Sequence, residues 1–141
     1  MNTAIINRTA EASAYTIQNY AELGGRVLLA SLFLIAGLGK VGAYGATAGF
    51  MASVGLPGVL LPLVIATEVL GAVAIIIGWK TRIVAFLLAG FGVLSAAIFH
   101  NNFADQTQMV MFLKNLSIAG GLLLLVVHGA GRISLDHRPA K

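Results

Sequence analysis

The sequence predicts an all-α membrane protein: a bundle of four transmembrane helices with both termini in the cytoplasm and a short interfacial helix between the first two spans. Three observations predict it. Hydrophobic residues make up 58% of the 141 residues and charged residues only 10%, against about 45–50% and about 25% in soluble domains. Mean hydropathy is +0.91. The apolar residues fall into four runs of about 17–23 residues, the length that crosses roughly 30 Å of hydrocarbon. Backbone groups in lipid must be satisfied within the segment, so the runs are helices; the alternating pattern of a barrel strand is absent. A water-soluble enzyme and a disordered chain are both excluded.

Residues 1–21 are mixed and polar, carry no signal-peptide pattern, and read as a cytoplasmic tail ending in a short interfacial helix around Tyr15–Tyr20. The spans are expected at about residues 23–40, 57–79, 82–100 and 109–128, within a membrane domain of residues 22–131. Pro57 suits a helix start, whereas Pro62 calls for a kink or a late start. Between the first two spans, Val41–Leu56 is apolar and Gly-rich. Phe50, Met51 and Val54 fall there at helical spacing, which predicts an amphipathic helix at the outer interface. Asn101–Gln108 is the short, polar external loop. Residues 132–141 form a second cytoplasmic tail. No internal repeat supports an inverted-repeat transporter.

Orientation follows from the basic residues. Arg8, Arg26, Lys80, Arg82, Arg132, Arg138 and Lys141 fall on one side, and only Lys40 and Lys114 on the other. The positive-inside rule puts the richer side, with both termini, in the cytoplasm, and Trp79 becomes an interfacial anchor there. The net charge of +4 is then met by anionic membrane lipids; nucleic acid is not an expected partner, since no basic–aromatic interleaving occurs. With no cysteine, disulfides, thiolate-held clusters and covalent haem attachment are excluded.

The chemistry lies in the polar residues of the spans. Taking the cytoplasmic basic residues as a floor and about 1.5 Å of rise per residue, Lys40 stands roughly 21 Å up, Glu68 roughly 18 Å, and His100 and Lys114 roughly 27 Å. All four fall in the outer half, one per span, with Asn115 adjoining and Asn101 and Asn102 just above. Buried charges tend to face the bundle interior and pair. A Lys40–Glu68 ion pair is expected, with Lys114 a second candidate partner for Glu68. In the plainer reading the pair only ties two helices together, Lys114 snorkels to the interface, and His100 is a helix-end residue bonded to the external loop. In the functional reading all four share a neutral-to-positive pocket for an anionic or carbonyl-bearing ligand, such as a quinone ring, a sulfur oxyanion or a lipid headgroup. No metal site is expected: one His and one Glu are too few ligands. Bis-histidine haem fails because His128 falls about 20 Å below His100. Glycines in or beside the spans are read as close helix packing.

Several motifs together resemble the DoxX family: Gly37-Leu38-Gly39-Lys40, Phe50-Met51-Ala52-Ser53-Val54-Gly55-Leu56-Pro57, Glu68 followed by Gly71, Thr81-Arg82, Phe99-His100, Phe112-Leu113-Lys114-Asn115-Leu116, and Gly129-Ala130-Gly131-Arg132-Ile133-Ser134-Leu135-Asp136. The resemblance covers about residues 23–136 and implies a small four-helix bacterial inner-membrane protein. It carries over Lys40, Glu68, His100, Lys114 and Asn115 as the family's polar positions and candidate ligand-binding residues. Some relatives are subunits of thiosulfate:quinone or quinol-oxidising systems, and others accompany membrane oxidoreductases or stress resistance. The resemblance therefore implies an accessory, ligand-binding subunit in membrane redox metabolism, with quinone as a non-covalent ligand and an oxidoreductase subunit as partner; a homo-oligomer is also compatible. The alternatives are a non-catalytic scaffold and, more weakly, a small-solute or lipid permease.

Overall fold

The computed structural model describes residues 2–137, with side chains from residue 14 onward. In chain order the elements are α1 (Asn2–Gly42), α2 (Tyr44–Ser53), a 3₁₀ turn (Gly58–Leu60), α3 (Leu61–Ile77), α4 (Thr81–Phe99) and α5 (Gln106–His128). Four segments are long and apolar enough to cross a membrane: Ala14–Gly42, Gly58–Ile77, Thr81–Phe99 and Gln106–His128. The four-span, all-helical class is therefore observed, and the described residues contain no strand.

The first helix departs from expectation. The segment read as a tail is helical and runs unbroken into the first span. The reason is local: Ala4, Ala10, Ala12, Ala14 and Ala21 are strong helix formers, and no proline occurs before Pro57 to end the helix. α2 ends as Gly55 turns to φ +83° and the Leu56 N–H reaches back to the Met51 carbonyl at 2.9 Å. Pro62 resolves as a late start, since α3 begins one residue before it and its missing N–H falls where no intrahelical acceptor exists. Gly78, at φ +69°, ends α3; the Trp79 N–H bonds the Ala74 carbonyl at 2.9 Å. Asp105 caps α5 by accepting from the N–H groups of Thr107 and Gln108 at 2.7 and 3.2 Å.

The helices pack as two pairs, α1 with α3 and α4 with α5, joined mainly where α3 meets α4. The seam is built from small residues, Ala30, Ala72, Ala85, Ala89 and Ala119, with Phe33, Ile75, Leu88 and Leu122 filling between them. Small side chains let helices approach where lipid gives no hydrophobic drive to association. Large apolar residues such as Leu28, Ile35, Leu63, Phe86 and Leu124 point outward, as a lipid-facing surface requires.

Candidate functional site

The site is built where α1 and α3 come closest. An added Cβ at Gly37 would stand 2.7 Å from Val69 Cγ2 and 3.0 Å from Glu68 Cβ, so only glycine permits this approach. One turn further along α1, Lys40 Nζ donates to both carboxylate oxygens of Glu68 at 2.8 Å, and to the Ala36 carbonyl at 3.4 Å. All three ammonium protons are thus engaged. The Glu68 side chain is 7% exposed and that of Lys40 26%. It is the one ion pair among the described residues, and the Lys40–Glu68 pairing expected from depth alone is present.

This pair lines a cavity of about 380 Å³, within the range of small-molecule sites. Val64 of α3 and Phe91, Leu94, Ser95, Ile98 and Phe99 of α4 form its walls, and His100 lines it at the end of α4. α2 folds over it, contributing Thr47, Phe50 and Met51. Met51 is buried, while Phe50 stays half exposed and stacks on Phe99 with centroids 5.5 Å apart. Of the three residues expected to share an apolar face on this helix, Met51 and Phe50 line the cavity and Val54 does not. His100 Nδ1 donates to Gln108 Oε1 at 2.8 Å, tying the end of α4 to the first turn of α5. Nε2 is then the ring's remaining polar atom, an acceptor in the neutral form.

The structure brings together Lys40, Glu68 and His100, and not Lys114 or Asn115. Lys114 is exposed, its Nζ 3.2 Å from Met111 Sδ. Asn115 is half buried and its amide N–H bonds the Met111 carbonyl at 2.9 Å. Neither lines the cavity. The expected pocket of all four ionisable groups is therefore a pocket of three, and its lysine is neutralised. With Lys114 outside and Lys40 paired to Glu68, the cavity falls at the neutral end of the neutral-to-positive range expected from the sequence. Its open polar capacity is mostly that of acceptors: Glu68 keeps lone pairs beyond those Lys40 takes, and His100 keeps Nε2. Ser95 adds one hydroxyl.

A second polar assembly, at the opposite end of the bundle, is absent from the sequence expectations. Arg26, taken there as a flanking charge, is 1% exposed. Its guanidinium donates to the Ile75 and Ile133 carbonyls, tying α1 to the end of α3 and to the segment after α5. That segment folds back: the N–H groups of Leu135 and Asp136 bond the Ile77 and Gly78 carbonyls at 3.1 and 2.8 Å. Asp136 then caps α4, accepting from the N–H of Lys80 at 2.7 Å and of Thr81 at 2.8 Å. Burial pushes the Asp136 carboxyl up, but the hydrogen bonds from Thr81 and Lys80 and the nearby Arg26 outweigh it, and the group is held below the usual carboxylate range. The signal available in sequence was position: Arg26 lies inside the first apolar run, three residues past Leu23, and not at its edge. Among the described residues no three His, Asp or Glu side chains could share a metal ion.

Comparison with known proteins bears on both ends. The DoxX family model matches residues 21–101, a stretch that contains Arg26, Lys40, Glu68 and His100. The chain is 44% identical over 120 residues to the inner membrane protein YqjF of Escherichia coli K12, covering 85% of this chain and 92% of YqjF. It is 38% identical over 121 residues to the inner membrane protein YphA of the same strain, covering 80% of this chain and 86% of YphA. No solved structure matches the chain. With four membrane spans and relatives of this kind, the chain belongs to the DoxX family and is a multi-pass inner-membrane protein.

Proposed function

We propose that the Lys40–Glu68–His100 cavity binds a small lipophilic ring compound with a hydroxyl or carbonyl end, of the quinol and quinone type, and that the protein is an accessory, ligand-binding component of membrane redox metabolism. The observation that carries this reading is a neutralised ion pair placed against a largely apolar cavity, with aromatic residues Phe50, Phe91 and Phe99 around it. A ring stacks on aromatic faces. A ligand hydroxyl finds its acceptor in Glu68 or His100 Nε2, and a carbonyl its donor in the Ser95 hydroxyl. Lys40 has no proton to offer without giving up Glu68 or Ala36. The reduced, hydroxyl-bearing form therefore fits better than the oxidised form. We place the Arg26 end and both termini on the cytoplasmic side, following the excess of Lys and Arg there, so the cavity lies toward the periplasm.

The test is to titrate a short-chain quinol and its quinone into purified wild type, Glu68→Gln and Lys114→Met in mild detergent. Saturable binding that favours the quinol, lost in Glu68→Gln and kept in Lys114→Met, is the expected result. Equal weak partitioning into all three removes the ligand-binding reading and leaves a scaffold.

A further inference from the structure

A second cavity, about 780 Å³, lies at the Arg26 end, between the Tyr15–Glu22 stretch of α1, the α3–α4 turn and the segment after α5. Among the described residues that line it, the charges do not balance. Both acids that line it are already engaged. Asp136 holds the first N–H groups of α4. Glu22 accepts from the Gln18 amide at 3.0 Å and, like Asp136, acts on the buried Arg26. Three cations line the same cavity, Lys80, Arg82 and Arg132. Among the described residues none of them has a carboxylate within 4.0 Å, since the one ion pair lies at the other end of the bundle. Lys80 only overlies the Trp79 ring, 5.4 Å from its centroid. Arg26, buried and outside the cavity lining, has an Nε with no hydrogen-bond acceptor.

The geometry points to a site for a phosphate-bearing anion, supplied by the headgroup of an anionic phospholipid. Level and surroundings favour a lipid over a dissolved ion. Tyr15 stands 11 residues before Arg26 and Glu22 four before it, so this wall of the cavity extends roughly 6–16 Å beyond Arg26 along the helix, which is headgroup depth for a span of this length. Tyr15, Tyr20 and Trp79 are all more than half exposed at this end, as in an interfacial aromatic belt. Exposed Ile83 lines the cavity beside Arg82, giving an acyl chain an apolar path away from the cations. Each cation near an anionic surface is worth roughly fivefold in affinity. The inference is independent of the ligand reading at the other end.

Trp79 is the single tryptophan and adjoins Lys80, so it reports on this site. The experiment reconstitutes the full chain in phosphatidylcholine vesicles containing either brominated phosphatidylglycerol or brominated phosphatidylcholine and measures quenching of Trp79. The expected result is preferential quenching by the brominated phosphatidylglycerol. The preference falls roughly fivefold in Arg82→Gln and in Arg132→Gln, and persists in Lys114→Gln, which removes a cation elsewhere. Neither arginine makes a side-chain hydrogen bond among the described residues, and Arg132→Gln stands as the second variant should Arg82→Gln fold poorly. No preference in wild type overturns the proposal. So does a preference that survives both arginine variants, which would be general surface attraction. Relief of quenching by inorganic phosphate at constant ionic strength, with chloride ineffective, would assign the site to a soluble anion and overturn the lipid.

Discussion

Lys40 Nζ lies 2.8 Å from each carboxylate oxygen of Glu68, across the α1–α3 contact. In a membrane interior the cost falls on breaking such a pair, because the charge left behind has neither water nor partner. Lys40→Met or Glu68→Leu alone is expected to destabilise the protein by about 3 kcal/mol, and the double substitution by much less. A double-mutant cycle on detergent unfolding measures this; additive losses would mean that the pair does not couple the helices.

Gly37 sets the distance at which that pair forms. Gly37→Ala puts a methyl against Val69 and Glu68 on a packed face, where overpacking costs about 1–3 kcal/mol. Gly90→Ala, with nothing within 4 Å of the added carbon, is expected to be neutral or slightly stabilising. Thermal unfolding of the two variants side by side checks the contrast.

The depth of each polar residue was legible in the sequence, and its rotation about the helix axis was not. Rise per residue placed Lys40 and Glu68 within a turn of one another, and they meet. The same arithmetic placed Lys114 near His100, but the inward face of α5 runs through Gln108, Met111, Asn115, Ala119 and Leu122, about 100° away from Lys114. A span that is apolar all round carries no periodic signal for which face turns inward, so the phase was hidden. Helical spacing marked Phe50 and Met51 as one face of an interfacial helix, but that this helix folds over the cavity is a tertiary contact that spacing does not record. The clasp made by Arg26 and Asp136 was missed because Arg26 reaches the carbonyls of Ile75 and Ile133, 49 and 107 residues away, and Asp136 the N–H groups of Lys80 and Thr81; backbone partners leave no mark on composition or spacing.

Asp136 gives that clasp a defined pH response. Its folded pKa lies below that of the unfolded chain, so the ionised carboxylate favours the closed segment. The contribution is complete above the ordinary carboxylate value of about 3.9 and is lost as pH falls through the lower folded value. Trp79 emission is expected to stay flat from neutral pH down to that range and to change below it. Asp136→Asn removes the transition and, by replacing one of the two accepting oxygens with an NH2 group, loosens the start of α4 by about 1 kcal/mol. A transition centred above pH 5 would contradict the assignment.

Because the chain has no cysteine, single introduced cysteines report topology cleanly. Asn101→Cys is expected to react with a membrane-impermeant maleimide in cells whose outer membrane alone is permeabilised, and His137→Cys only after lysis. The reverse pattern would invert the bundle and put the Glu68 cavity toward the cytoplasm.

In the function proposed above, one cavity, under α2 and beside the Lys40–Glu68 pair, receives the ligand. A photoreactive quinol analogue, activated in membranes and mapped by peptide mass spectrometry, tests it most directly. Labelling is expected on the peptides holding Met51 and Phe91–Phe99, suppressed by excess unlabelled quinol and by Glu68→Gln. Labelling centred on the Lys114 face of α5, or spread evenly over the lipid-facing residues, would contradict it.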